Sequence, residues 1–144
     1  ARGPVGSGVS MRPPLRPLDS TRAVINFDLV GRNFFEAGAA KPRTAAVVGL
    51  EQEPDTREAA LAVAKEVGLE LVTAPAKLVE LFGYDDRTDE WWFRRRGILA
   101  IHFSTGMHDD YHRPTDTADK LVYPQMLRVA RTAAGILGYL AGGQ

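Results

Sequence analysis

The chain has 144 residues, enough for one domain with a buried core, and its apolar share of 44% and charged share of 25% are typical of a globular protein. Eighteen basic residues balance eighteen acidic ones, so no net field favours nucleic acid or an anionic membrane as a partner. The chain has no cysteine, which excludes disulfides and thiolate metal sites and leaves His, Asp and Glu as possible metal ligands.

The N-terminal segment shows no recognisable signal peptide, so we expect any targeting signal to lie upstream. Its first residues, ARGPVGSGVSMRPPLRP, contain no apolar signal-peptide region, and no run in the chain approaches the roughly 18 apolar residues of a membrane helix. Residues 1–20 are rich in Gly, Pro and Arg, which predicts an extended connector before a domain at 21–144. Because the chain opens on alanine, we expect it to belong to a longer polypeptide.

Short apolar, β-branched runs predict strands, which fall at 22–30, 44–50, 69–73 and 98–103. A helix is predicted to begin near Glu53, with Asp55 or Thr56 as its N-cap, and to end near Gly68. A short helix is predicted at 89–96, and a long one from about Pro124. Its expected apolar stripe consists of Met126, Leu127, Ala130, Ala133, Ala134, Leu137, Leu140 and Ala141.

Predicted strands made of uninterrupted apolar residues alternate with predicted helices. This pattern predicts an α/β, three-layer fold with a mostly parallel sheet flanked by helices. Ligands of such sheets bind beyond the carboxyl ends of the strands. Two places meet that rule: Asp28, near the end of the first predicted strand, and the loop 104–118 after the fourth.

That loop contains the stretch HDDYHRPTDT at 108–117, which is dense in ionisable groups. Pro114 and Gly106 favour a loop over a helix, so His108 and His112 are not read as a helical pair of ligands. His112 could be a metal ligand whose second ring nitrogen is oriented by Asp109, Asp110 or Asp116, or a structural histidine.

Two further polar residues, Asp28 and His102, stand in apolar runs that predict strands. Asp28 stands in an apolar run, where a buried carboxylate must be paired, hydrogen-bonded or bound to a cation, so it either caps a loop or binds a metal. His102 lies within the fourth predicted strand and is most simply a satisfied core or edge histidine.

Three segments, in order, resemble a known family. AVINFDLVGR at 23–32, RTDEWWF at 87–93 and GILAIHFSTGMHDDYHRPTDT at 97–117 look like the conserved segments of co-catalytic, di-zinc aminopeptidases. This family is of the aminopeptidase S type and includes relatives of glutamate carboxypeptidase and glutaminyl cyclase. The similarity runs from about residue 20 to residue 140 and covers the C-terminal half of the family's domain.

The resemblance implies roles for five residues. Asp28 matches a ligand of one zinc ion and His112 a ligand of the other. Tyr111 matches a tyrosine that steadies the oxyanion of the tetrahedral intermediate. Asp89 and Asp116 match polar residues that support the site. The implied cofactor is zinc, and the implied substrate is a peptide with a free N-terminus.

The chain departs from the family in its first part. The family's first histidine ligand, bridging aspartate and Glu-Glu pair all precede the Asp28 strand. Here 27 residues precede Asp28, and none is histidine or glutamate. Gly3–Ser7 resembles the turn that follows the Glu-Glu pair, which places the glutamates at or before Ala1. Glu90 also replaces a usual histidine.

We therefore expect a C-terminal part of a zinc aminopeptidase that is inactive without its N-terminal half. The alternatives are a non-catalytic peptidase-like module for binding or assembly, and a glutaminyl-cyclase-like acyl transfer in the parent protein. A half-domain is expected to expose apolar surface and to self-associate. The family favours an exported parent, in the periplasm or outside the cell, but no residue of the chain decides its location.

Overall fold

The computed structural model describes residues 5–10, 14, 17–35, 40–75 and 87–142. In this part of the chain, four strands are present: β1 (Ala23–Phe27), β2 (Thr44–Val48), β3 (Glu70–Ala74) and β4 (Leu99–Ser104). The α-helices within these residues are α1 (Val5–Ser10), α2 (Pro54–Glu66), α3 (Trp91–Arg94) and α4 (Tyr123–Leu140). Short 3₁₀ turns lie at Leu18–Ser20 and Ala118–Lys120.

The four strands form one mixed sheet in the order β1-β4-β2-β3. β1 runs parallel to β4, and β2 runs parallel to β3, whereas β2 and β4 are antiparallel. The register pairs Phe27 with Phe103, so β1 and β4 end side by side. The residues that follow these two strands therefore meet at one edge of the sheet, which is where the sequence places its candidate residues.

Helices cover both faces of the sheet. Alternate residues of a strand point to opposite faces, and Ile101 and Phe103 of β4 belong to the core that contains Val129 and Ile136 of α4. His102, between them, contacts Glu90 just before α3 on the other face. The predicted α/β fold with a mostly parallel sheet between helices is thus confirmed. Each fully buried large side chain of this core contributes about 1.5–3 kcal/mol.

The apolar stripe predicted for α4 is wrong for most of its members. Ala133 and Leu140 are buried, but Leu127, Ala130, Ala134, Leu137 and Ala141 are exposed. The buried face instead consists of Gln125, Val129, Thr132, Ala133, Ile136 and Leu140. Two polar residues lie on it because Gln125 Nε2 donates to Thr44 O (2.8 Å) and Thr132 Oγ1 donates to Arg128 O (3.0 Å).

Two local predictions near helix ends also need correction. α2 begins at Pro54 with Glu53 as the N-cap residue, so neither Asp55 nor Thr56 caps it; proline favours the first helical position because it has no N–H to leave unpaired. Within the predicted extended connector 1–20, residues Val5–Ser10 form α1 instead. Among the residues described, no helix has the length and apolarity to cross a membrane.

Candidate active site

A cavity of about 430 Å³ opens where β1 ends, beside the loop that follows β4. Its lining residues are Asn26, Phe27, Asp28, Arg87, Asp89, Tyr111 and His112. Four of the five residues that the resemblance singles out therefore share one cavity, although they come from three separate segments. Asp116 is not among the lining residues.

Asp28 is the first residue after β1 and is exposed, so its carboxylate is not the buried one that its apolar neighbours predicted. Its backbone N–H donates to Phe103 O (3.1 Å), which continues the pairing of β1 with β4 by one residue. Leu29 then turns the chain in the left-handed region with φ 57°. Thr105 holds this turn, since its N–H donates to Leu29 O (3.0 Å) and its hydroxyl donates to the same oxygen.

Tyr111 and His112 face the cavity as a stacked pair. Their ring centroids are 3.9 Å apart with an interplanar angle of 19°. His112 is exposed and has φ 58°, a left-handed conformation that costs a non-glycine residue on the order of 1–3 kcal/mol. Such conformations persist only where the surroundings hold them, and they are concentrated at functional sites.

The acidic residues of the loop do not orient His112 as the sequence suggested. Asp110 bonds to Arg32 (2.5 Å) and Lys120 (2.8 Å) instead. The Lys120 ammonium, and then hydrogen bonds from Thr115 and Arg32, hold the pKa of the Asp110 carboxyl well below its usual range. The Asp116 carboxylate lies 3.8 Å from Arg32 and 3.9 Å from His108. Asp116 therefore contacts residues that hold the loop, and it does not line the cavity.

A buried polar cluster lies behind one wall of the cavity. Asn26 Nδ2 donates to Glu90 Oε2 (2.8 Å), and His102 Nδ1 lies 3.3 Å from the same carboxylate oxygen and 3.1 Å from Asn26 Nδ2. Glu90 is only 1% exposed. Burial raises the pKa of Glu90, but the hydrogen bond and the charge of His102 outweigh it, so the net pKa is lowered. His102 is thus the satisfied buried histidine that its strand position predicted.

Three residues in or beside the cavity stand in the segments that resemble the family, but the resemblance assigns them no role. Asn26 lies two residues before Asp28, so strand alternation could have placed it on the same face. Arg87 is exposed and is the first residue of the RTDEWWF segment, where no role was assigned to it. Arg32, which is buried, follows Gly31 and contacts a segment 78 residues away, so only the fold reveals its partner.

The cavity contains the types of ligand atom that bind zinc, which are imidazole nitrogen and carboxylate oxygen. Within the described residues, no group of three or more His, Cys, Asp or Glu side chains comes together in a geometry that could hold a metal.

A sequence profile of peptidase family M28 matches residues 2–137 of the chain. The chain belongs to this family. Members of family M28 are in general zinc-dependent peptidases. The family assignment confirms the resemblance drawn from the Asp28 and His112 segments, and it extends the match into the first 20 residues.

Among solved structures, the M28 chain is similar to the LapA aminopeptidase of Legionella pneumophila, with a TM-score of 0.68 and 18% sequence identity. The similarity covers 97% of this chain and 37% of the LapA chain, so the chain spans little more than a third of that relative's length. At this identity the match supports the fold. No curated protein sequence matches the chain significantly.

Proposed function

We propose that this chain forms part of the active site of a zinc-dependent aminopeptidase, which hydrolyses the N-terminal peptide bond of its substrate, and that the chain alone is inactive. The observation that carries the proposal is the cavity at the ends of β1 and β4, where Asp28, Tyr111 and His112 of an M28 chain lie together. Donors of a complete zinc site and the general base would come from sequence outside these 144 residues.

Three residues have distinct roles in this proposal. The Asp28 carboxylate and the His112 imidazole would each hold one zinc ion, and both are exposed to the cavity that the substrate enters. The Tyr111 hydroxyl would donate a hydrogen bond to the oxyanion that forms when water adds to the scissile carbonyl. The stacking of Tyr111 on His112 couples the position of the hydroxyl to that of the metal ligand.

Zinc and Asp89 would act on the substrate, whereas Asp116 would support the site. When bound, zinc would polarise the scissile carbonyl and lower the pKa of a water molecule. Asp89 adds a second carboxylate to the wall of the cavity, which suits a substrate with a protonated N-terminal amine. We assign Asp116 a supporting role through its contacts with Arg32 and His108.

The inactivity of the isolated chain follows from ligand number. A catalytic zinc ion needs about three protein ligands, and in this proposal the described residues supply one, Asp28 or His112, for each of two ions. We expect the purified 144-residue chain to show no hydrolysis of amino-acid p-nitroanilides with or without added zinc. Turnover that zinc supports and a chelator removes would contradict this expectation.

The aminopeptidase function is tested in the longer polypeptide. We expect the sequence before Ala1 to encode a histidine, a later aspartate and a Glu-Glu pair, and the protein that includes them to hydrolyse aminoacyl p-nitroanilides. Asp28→Ala and His112→Ala should each lower kcat/KM by at least about 100-fold, because loss of a ligand empties or distorts the site. Asp109→Asn, an exposed change in the same loop, is the control and should leave the rate unchanged. A longer protein that lacks those residues and does not hydrolyse the substrates would favour a non-catalytic module.

A further inference from the structure

Tyr111 and His112 are the two central residues of one tight turn. The Arg113 N–H donates to Asp110 O (2.9 Å), which closes a four-residue turn from Asp110 to Arg113. His112 is the third residue of this turn and has φ 58°, a position that glycine or asparagine usually occupies. The direction of the His112 side chain therefore depends on a backbone conformation that this turn position requires but that histidine disfavours.

The first residue of the turn is anchored by its side chain. Both carboxylate oxygens of Asp110 are engaged, Oδ2 by Arg32 Nη2 (2.5 Å) and Oδ1 by Lys120 Nζ (2.8 Å). Hydrogen bonds between two charged groups are about twice as strong as neutral ones. Arg32 also donates through Nη1 to Lys120 O (3.1 Å), so one guanidinium fixes both ends of the segment 110–120.

The anchor comes from the segment that also carries Asp28. Arg32 is 7% exposed and lies four residues after Asp28. In the same segment, Gly31 O accepts a hydrogen bond from Val122 N (2.8 Å). The two sides of the cavity, Asp28 and the Tyr111–His112 turn, are thus tied to each other through Arg32 and the backbone next to it.

We infer that Asp110 is a positioning residue, which Arg32 and Lys120 hold so that the turn presents Tyr111 and His112 to the cavity opposite Asp28. This inference rests on the proposed function for its purpose, because only a site needs His112 in this orientation. Its structural content, the dependence of the turn on the charge of Asp110, stands by itself and is measured without metal or substrate.

The test is NMR spectroscopy of the 144-residue chain. A φ near 58° at His112 gives a strong cross-peak between its own amide proton and Hα, and the stacked Tyr111 ring shifts the His112 ring protons upfield. Asp110→Asn removes the charge and keeps the shape, and it should abolish both signals while the resonances of Ile101 and Ile136 in the core stay in place. Asp109→Asn, the neighbouring exposed aspartate, should preserve both signals.

Retention of both signals in Asp110→Asn overturns the inference, and so does their equal loss in Asp109→Asn. If Asp110→Asn does not fold, the half-exposed Lys120 is changed to Gln: loss or weakening of both signals supports the inference, and full retention overturns it. Since the readout needs neither zinc nor turnover, its failure is distinct from a failure of the proposed aminopeptidase function.

Discussion

At the scale of single residues, burial determines which partners the carboxylate of Glu90 needs. Glu90 stands where the family has a histidine, and the sequence alone does not indicate what this glutamate does. In the structure it accepts hydrogen bonds behind the cavity wall, where Asn26 and His102 replace the water it would otherwise bind. A buried carboxylate is tolerated only with such partners, so Glu90, Asn26 and His102 form one unit.

This unit predicts a stability change with a defined pH dependence. The folded-state pKa of Glu90 is below its ordinary 4.5, so its ionised form stabilises the fold above about pH 4.5, and this contribution is lost as the pH falls through the folded pKa. Glu90→Gln should lower the free energy of unfolding at pH 7 by about 1–3 kcal/mol. The difference from the parent chain should shrink below pH 4.5, as measured by urea unfolding at several pH values.

The control for Glu90 is Glu58→Gln at an exposed position of α2, which should change the free energy of unfolding by less than about 0.5 kcal/mol at any pH. An equal effect of the two substitutions, or a Glu90 effect that grows towards acid pH, would contradict the assigned role of the buried carboxylate.

Only part of the candidate site could be predicted from the sequence, because some of its contacts join residues that lie far apart in the chain. Asp28, Tyr111 and His112 follow strands, and strand ends are where α/β sheets bind ligands, so their meeting in one cavity agrees with the sequence. Arg32 and Asp110 are 78 residues apart, and no local pattern joins them. Asp28 was expected to be buried because its neighbours are apolar, but β1 ends one residue before it.

At the scale of elements, the strands were predicted to within a few residues and the buried face of α4 was not. Strand positions follow from short apolar runs with little ambiguity. The helix α4 is apolar on more than one side, so periodicity does not decide which side meets the sheet. The choice depends on tertiary partners, such as the carbonyl of Thr44 that accepts from the buried Gln125.

The packing of α4 on α2 predicts opposite effects for two glycines of the same helix. A Cβ on Gly135 would lie 2.6 Å from Cγ1 of Val63, whose β-branched side chain has little freedom to move, whereas a Cβ on Gly138 meets nothing within 4 Å. Gly138→Ala should raise the free energy of unfolding by about 0.5–1 kcal/mol through helix propensity. Gly135→Ala should lower it by about 1–3 kcal/mol through overpacking. Thermal unfolding of both variants checks this pair, and equal shifts of the same sign would show that α2 and α4 do not approach so closely at Gly135.

At the scale of the whole molecule, the chain leaves a broad apolar surface open. The face of α4 that does not meet the core borders a groove of about 670 Å³. Its lining residues are Phe27, Val30, Tyr123, Pro124, Met126, Leu127 and Ala130. Phe27 belongs to both this groove and the cavity of the candidate site, and β1 is the outermost of the four described strands on that side. Exposed apolar patches of this kind are typical of interaction surfaces.

We therefore expect the isolated chain to self-associate through the groove, and one helix supplies a matched pair of variants. Leu127 in the groove is 51% exposed and Leu137, outside it, is 52% exposed. Light scattering at micromolar concentration should show a dimer or larger species for the parent chain and for Leu137→Glu. Leu127→Glu should shift the chain to monomer, because association would bury an unpaired carboxylate. A monomeric parent chain that binds no hydrophobic dye, or an equal effect of both substitutions, would show that the groove does not drive association.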